Sequence, residues 1–412
     1  MNVLPKGWVE TTLGEVCRVE YGKGLSANQR IESGTVPVVG SAGVIGRHSA
    51  SLVPGPVIVI GRKGNAGAIH LIRDACWPID TTYFVCVPPP FDPAFLAYQL
   101  RDAQLRSLDS STAVPSLRRP DLEACPLLVA PIREQERIVA AIEEQFSRLD
   151  TAEQLLRSAR RRVDRMRAAA LAAVTPEDCK WTTLGEIAEI VGGVTKDSKR
   201  QSDPSFVEMP YLRVANVQRG YLDLREVTTI RVSPEKAKAL RLEPGDILFN
   251  EGGDRDKLGR GWIWQGEIDD CIHQNHVFRA RLLTNDADPK YVSLHGNTFG
   301  RQWFEKMGKQ TTNLASINLK TLKSFPVPDL PAEEQHRIVA EVERRLTILE
   351  SLSAAIDHAL TRSDHLRRSI LESAFTGELV PHVPDDEPAF ELLARIASDH
   401  RKTTKPRRRQ RA

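Results

Sequence analysis

Several stretches of this 412-residue chain carry side chains that could do chemistry or hold a charged ligand. Three are glycine-rich: "VGSAGVIGRHS" (39–49), "GRKGNAGAI" (61–69) and "NEGGDRDKLGRG" (250–261). Such loops cradle phosphates when the spacing is right. Here Gly40, Gly43 and Gly46 fall as GxxGxxG rather than GxGxxG, and no GxxxxGK[ST] occurs. They read as turns between strands. "CIHQNH" brings Cys271, His273 and His276 close together, but with no second cluster near them and strand-like neighbours, no metal is expected. No GxSxG, HExxH or paired-carboxylate signature stands out, nor a methyltransferase [DNS]PP[YF] tetrad or a helicase motif. The pattern reads as non-catalytic.

The elements that must position these loops show an internal repeat. "PIREQERIVAAIE" (131–143) returns as "PAEEQHRIVAEVE" (331–343), with eight of thirteen positions identical at an offset of 200. At the front of each half "TTLGEV" (11–16) returns as "TTLGEI" (182–187), at an offset of 171. The second copy is therefore longer by 200 − 171 = 29 residues between those marks. Similar ends around dissimilar middles suggest a shared scaffold carrying two different readers. "PVIVIG" (56–61), "YFVCV" (83–87), "GDILFN" (245–250) and "HVFRARL" (276–282) have the β-branched and aromatic content of strands.

From Arg133 to Val174 the chain lacks Pro and Gly and is rich in helix formers, with Pro131 as a start signal. Alternate spacing by three and four predicts a coiled-coil stripe through Leu149, Ala152, Leu156, Ala159, Val163 and Met166. The second copy gives Leu349, Leu352, Ile356, Ala359, Leu366 and Ile370. Neither helix could stand alone with such a stripe exposed, so the two should pack antiparallel, one on the other. The expected fold is α+β: two α/β domains joined by two long antiparallel coiled-coil helices, in a pseudo-twofold tandem repeat. The expected division is 1–132, 133–178, 179–332, 333–376 and a C-terminal arm with a basic tail, 377–412.

Composition is ordinary for a soluble globular chain, 41% hydrophobic and 27% charged, with no apolar run long enough to span a membrane. Six scattered cysteines without a CxxC pair suggest free thiols and a cytoplasmic setting. The net charge is +3, but residues 401–412 carry seven Lys/Arg and no acid, so the rest stands at 3 − 7 = −4. Any nucleic-acid surface must then be a local patch. "RSARRRVDRMR" (157–167) sets six arginines against one aspartate on the first helix, which reads as a solvated face or a phosphate or partner contact.

In order and spacing, "GWVETTLGEV", the paired "P-x-x-EQ-x-RIVA-x-x-E" openings, "PYLRVANVQRG" (210–220), "GDILFN" and "LRRSILESAFTGELV" (366–380) resemble the specificity subunits (HsdS) of Type I restriction–modification systems. The resemblance covers nearly the whole chain. It implies two target recognition domains, each reading one half of a bipartite site on double-stranded DNA. It also implies a helix pair that fixes their separation and docks modification (methyltransferase) subunits, two by the symmetry of the repeat. Those partners would carry S-adenosylmethionine and methylate adenine. A restriction subunit would use ATP and Mg, leaving this chain with no cofactor. Alternatives are a coiled-coil scaffold that does not read DNA, or the specificity subunit of a related methylation-only or phage-defence system.

Residue types then nominate DNA contacts, since Arg and Lys suit guanine or phosphate and Asn suits adenine. In the first domain these are Arg62, Lys63, Asn65, Thr81, Thr82, Tyr83, Ser110, Ser111 and Thr112. In the second they are Arg213, Asn216, Gln218, His273, Gln274, Asn275, His276, Lys309, Thr311, Thr312, Asn313 and Ser316.

Overall fold

A computed structural model describes residues 4–103, 105, 116–198, 201–253, 257–310 and 315–403. The chain divides into two compact units. One comprises residues 1–156 with 358–412, the other residues 157–357, so each long helix contributes to both.

Each unit is built on the repeated segments. In the first, Val9–Thr12 pairs antiparallel with Pro126–Val129, setting Thr12 opposite Pro126. In the second, Lys180–Thr183 pairs with Pro326–Asp329, setting Thr183 opposite Pro326. The "TTLGE" sequence then does the same thing twice. Thr12 and Glu15 form a capping box that opens a one-turn helix, and so do Thr183 and Glu186. The backbone N–H of Thr183 donates to the Glu186 carboxylate at 2.9 Å, and these bonds hold that carboxyl below its usual range.

The middles differ in sequence and agree in topology. The first unit holds an antiparallel four-stranded sheet in the order Val19–Tyr21, Thr82–Cys86, Val57–Gly61, Ile69–Ile72. The second holds the same order in Ala188–Gly192, Val277–Leu282, Ile247–Asn250, Gly261–Ile263. Beside each lies a three-stranded sheet whose central strand, Val36–Gly40 or Val207–Leu212, pairs antiparallel on one side and parallel on the other. In the first unit the hairpin from Gly40 to Gly43 turns tightly, with Gly43 in the left-handed region at φ 106°. Gly40 and Gly43 thus serve as turn glycines. In the second unit residues 213–227 fill that connection and include the hairpin Val217–Gln218/Tyr221–Leu222. A further helix, Pro234–Leu240, takes up more of the extra length.

The first long helix runs Ile132–Ala172 and the second Ala332–Phe375. Both start where proline places them, with the N–H groups of Gln135 and Gln335 donating to Pro131 and Pro331. The same two glutamines explain the repeated "EQ". Gln135 is buried, donates to the Ala130 carbonyl at 2.8 Å and accepts the Asp92 N–H at 3.1 Å. Gln335 donates to Leu330 at 2.7 Å and accepts from Asp288 at 2.8 Å. Asp92 and Asp288 in turn cap the helices Pro93–Asp102 and Pro289–Asn297. One amide thereby ties scaffold strand, long helix and domain helix together in each unit.

The helices run antiparallel. In the second unit Arg160 meets Asp357 at 2.6 Å and Arg167 meets Glu350 at 3.4 Å. In the first, Arg367 reaches Asp150 at 2.5 Å and Glu153 at 3.0 Å, and Ser363 donates to Glu153 at 2.7 Å. The expected stripe is half right. One row, through Ile142, Leu149, Leu156 and Val163 and through Val342, Leu349 and Ile356, does face inward. The second row lies one residue further on than expected. Ala152, Met166, Leu352 and Leu366 are exposed, and Ala159 and Ala359 are only half-buried, while Ile370, in the inward row, packs against the core of the first unit. Phe146, Glu153 and Arg160, with Leu346, Ser353, Leu360 and Arg367, occupy the seam instead. The physical reason is that cross-helix ion pairs satisfy these polar groups, so the seam need not follow the apolar count.

The first unit is closed by the C-terminal arm. From the arm, Ala389, Leu392 and Ile396 join the core of Trp8 and Phe95 beside Ala374 and Phe375 at the end of the second long helix, and Arg137 pairs with the buried Asp386 at 2.6 Å. Replacing either glutamine with alanine leaves unpaired the N–H and the C=O that its amide satisfies. Gln135→Ala and Gln335→Ala should each cost about 2–3 kcal/mol. Amide exchange should show lost protection at Asp92 in the first variant and Asp288 in the second, while the other unit keeps its protection. Unchanged exchange would contradict this role.

Candidate nucleic-acid interface

Backbone hydrogen bonds bring the same three loops together in both units. In the first, the Arg62 N–H donates to the Thr81 carbonyl at 2.9 Å, and the Leu117 N–H donates to the Arg62 carbonyl at 3.0 Å. Lys63 bridges to Ser116 alongside. In the second, the Glu251 N–H donates to the His276 carbonyl at 2.9 Å, and the Ile317 N–H donates to Glu251 at 2.8 Å. Gly252 pairs with Ser316 alongside. Arg62 and Glu251 therefore occupy one structural position, as do Thr81 and His276, and Ser116 and Ser316.

The chemistry at that position differs. In the first unit the Arg62 guanidinium is held on the Asp80 carbonyl by two bonds, of 2.7 and 3.1 Å. It lies 5.5 Å from the Tyr21 ring centre, with Arg119 at 6.0 Å from the same ring. Tyr21 is 52% exposed. Lys63 and Asn65 are exposed on the adjoining loop. An exposed aromatic ring among cations suits a base or a phosphate backbone. In the second unit Glu251 receives His276 Nδ1 at 2.6 Å, with Asn275 beside it at 3.4 Å from His276 Nε2. Ser316 is exposed there, while Gln274 is half-buried.

Four nominated readers are interior, which corrects the expectation. Thr82 is fully buried and donates to the Ile79 carbonyl at 2.7 Å. Tyr83 is buried, and its hydroxyl donates to Leu117 at 3.1 Å. Burial and the neighbouring Tyr21 push its phenol up to about 12. Asn216 is buried in its loop, accepting from Arg213 N–H and donating to the carbonyls of Asp223 and Glu226, all at 2.9 Å. It is a loop staple rather than an adenine contact. His273 is buried, with Nδ1 at 2.7 Å from the Val277 carbonyl and Nε2 unpartnered. Thr82, Asn216 and His273 each close a local backbone turn, the role that competes with base recognition for these residue types, whereas Tyr83 ties its strand to the distant Leu117 carbonyl.

Arg213 and Gln218 are half-buried on the loop that Asn216 organises, Gln218 donating to Ala215 at 2.6 Å. Only the backbone of Lys309 is described, in a short strand with Gln310. Ser110, Ser111, Thr112, Thr311, Thr312 and Asn313 lie outside the described residues. The residues that sequence reasoning missed are Tyr21, Arg119 and Glu251. Nothing local marks them, because each matters through a partner distant in sequence.

A family model described as the Type I restriction modification DNA specificity domain matches residues 5–158 and again 176–358. The chain belongs to that family, which it carries in two copies. The EcoKI specificity subunit of Escherichia coli (strain K12) is 23% identical over 290 residues, covering 67% of this chain and 62% of that protein. The putative MjaX specificity subunit of Methanocaldococcus jannaschii is 24% identical, covering 53% of this chain and 52% of that protein. The matches thus span less than two thirds of these relatives' lengths. In structure the chain is similar to one from a type I R-M system studied for complex assembly and conformational transition. That match has a TM-score of 0.68 at 19% identity, over 91% of this chain and 99% of the other. The HsdS subunit from Thermoanaerobacter tengcongensis gives 0.58 at 20% identity, over 91% and 98%. These likenesses speak to the fold.

His273 and His295 are the buried histidines among the described residues, and both lie in the second unit. Burial lowers each to about 4 from an ordinary 6.5, against the pull of carbonyl partners at Val277 and Pro326. The unfolded chain therefore binds these protons first, and stability falls as pH drops from about 6.5 towards 4. Each site contributes on the order of 3 kcal/mol to that loss. Amide exchange at pH 5 against pH 7 should show Val277–Leu282 losing protection before Thr82–Cys86. Equal loss in both strands would contradict this account.

Proposed function

We propose that the chain is the non-catalytic DNA-recognition subunit of a Type I restriction–modification complex, each unit reading one half of a bipartite site on double-stranded DNA. The observation that carries this reading is the pair of equivalent three-loop sites, built on one scaffold and given different side chains. A scaffold protein has no need of two unlike loop clusters at matching positions, whereas a reader of an asymmetric sequence does.

In this reading the helices dock the partners. Leu155, Met166, Ile348, Leu352 and Leu366 leave apolar surface exposed along them. Two modification subunits would use the two similar faces and bring S-adenosylmethionine, and a restriction subunit would bring ATP and Mg. The setting would be cytoplasmic. Among the described residues no helix is long and apolar enough to cross a membrane.

Affinity for duplex DNA should fall steeply as salt rises, since phosphate contacts release counterions. A log–log slope of about −0.9 per phosphate contact is expected. The measurement is a titration of the purified full-length chain with duplex DNA at several salt concentrations. Salt-independent association, or none, would favour a scaffold instead.

A further inference from the structure

We propose that the shared position held by Arg62 in the first unit and Glu251 in the second determines specificity, and that the Glu251–His276 pair reads an exocyclic base amine in the major groove. The inference rests on the DNA-reading proposal above and adds which residues read and what they read.

Backbone, not side chains, makes the two positions equivalent. Arg62 and Glu251 each donate their N–H to the loop before the last sheet strand, and each accepts from the segment that enters the scaffold. The two bond pairs agree to within 0.2 Å, at 2.9 and 3.0 Å against 2.9 and 2.8 Å. Both residues directly follow a central sheet strand, Val57–Gly61 or Ile247–Asn250. The same backbone pairing therefore holds one position in each unit and lets the side chain vary.

The variation is a reversal of hydrogen-bond polarity. A guanidinium only donates, so at this position it suits the O6 and N7 acceptors of guanine or a phosphate. A carboxylate only accepts, and near DNA it is repelled by every phosphate. It is tolerable there if it meets a donor, and the donors on base edges in the major groove are the amines at cytosine N4 and adenine N6. His276 fits the same reading. It takes Glu251 Oε2 at 2.6 Å, which fixes the carboxylate's direction, and is itself 55% exposed on its side chain. It occupies the position of Thr81, a small residue that leaves Arg62 to the Asp80 carbonyl. Both positions thus differ between the units, Arg62 with Thr81 in one and Glu251 with His276 in the other.

The test is selection from a pool of randomised duplexes by the full-length chain, comparing wild type with Glu251→Gln, His276→Gln and Arg62→Gln. The wild type should select a bipartite motif. Glu251→Gln keeps the shape and gains a donor, so it should relax one base position of one half-site by roughly 10-fold or more in enrichment. That position should be a cytosine or an adenine, and the selected motif tells which. His276→Gln should act on the same position, and Arg62→Gln on the other half-site only. Circular dichroism and thermal unfolding of each variant report whether it folds. Folded variants that select the wild-type motif unchanged would overturn the specificity assignment and leave the DNA-reading proposal standing. A wild-type chain that selects no motif would overturn both.

Discussion

Each half of this molecule hangs on one buried glutamine amide. Gln135 and Gln335 each join a helix start, the end of a scaffold strand and the cap of a domain helix, all within 3.1 Å. The glutamine side chains are buried and the backbone groups they meet are buried or half-buried, so the amide fixes how the long helix leaves the domain. The capping boxes at Thr12 and Thr183 fix the opposite end of the same scaffold. With both ends specified, the sheets between them are free to change loops without changing topology.

The helix pair divides its labour in a similar way. The inner apolar row removes surface from water, at about 1.5–3 kcal/mol for each fully buried large side chain. The polar row contributes little energy, since exposed pairs such as Arg160–Asp357 are worth about 0–1 kcal/mol. Its contribution is register. Arg167–Glu350 and Arg367–Asp150 are the same contact made twice under the 200-residue repeat, and neither survives a slip of one turn.

Much of this was legible in the sequence because the repeat is written in local motifs. "TTLGE" and "EQ" each act within a few residues of themselves, and the long helices announce themselves by composition. The seam was legible only in part. Ala152 and Met166 look like core by type, while Glu153 and Arg367 look like surface, and only tertiary pairing reverses the two. The same limit governed the site. The loops "GRKGNAG", "HQNH" and "RVANVQRG" are legible as polar turns, yet Thr82, Asn216 and His273 turn inward to satisfy backbone. Tyr21, Arg119 and Glu251 give no local signal, because their contacts are with residues far along the chain.

If one scaffold carries two independent readers, each should be exchangeable without the other. The most direct test is to replace residues 17–114, the middle of the first unit, with the matching region of a family relative, leaving both capping boxes and both long helices intact. The motif selected from random duplexes by the chain is then compared with that of the parent. The account predicts that one half of the motif changes and the other half stays as it was. A change in both halves, or in neither, would contradict it.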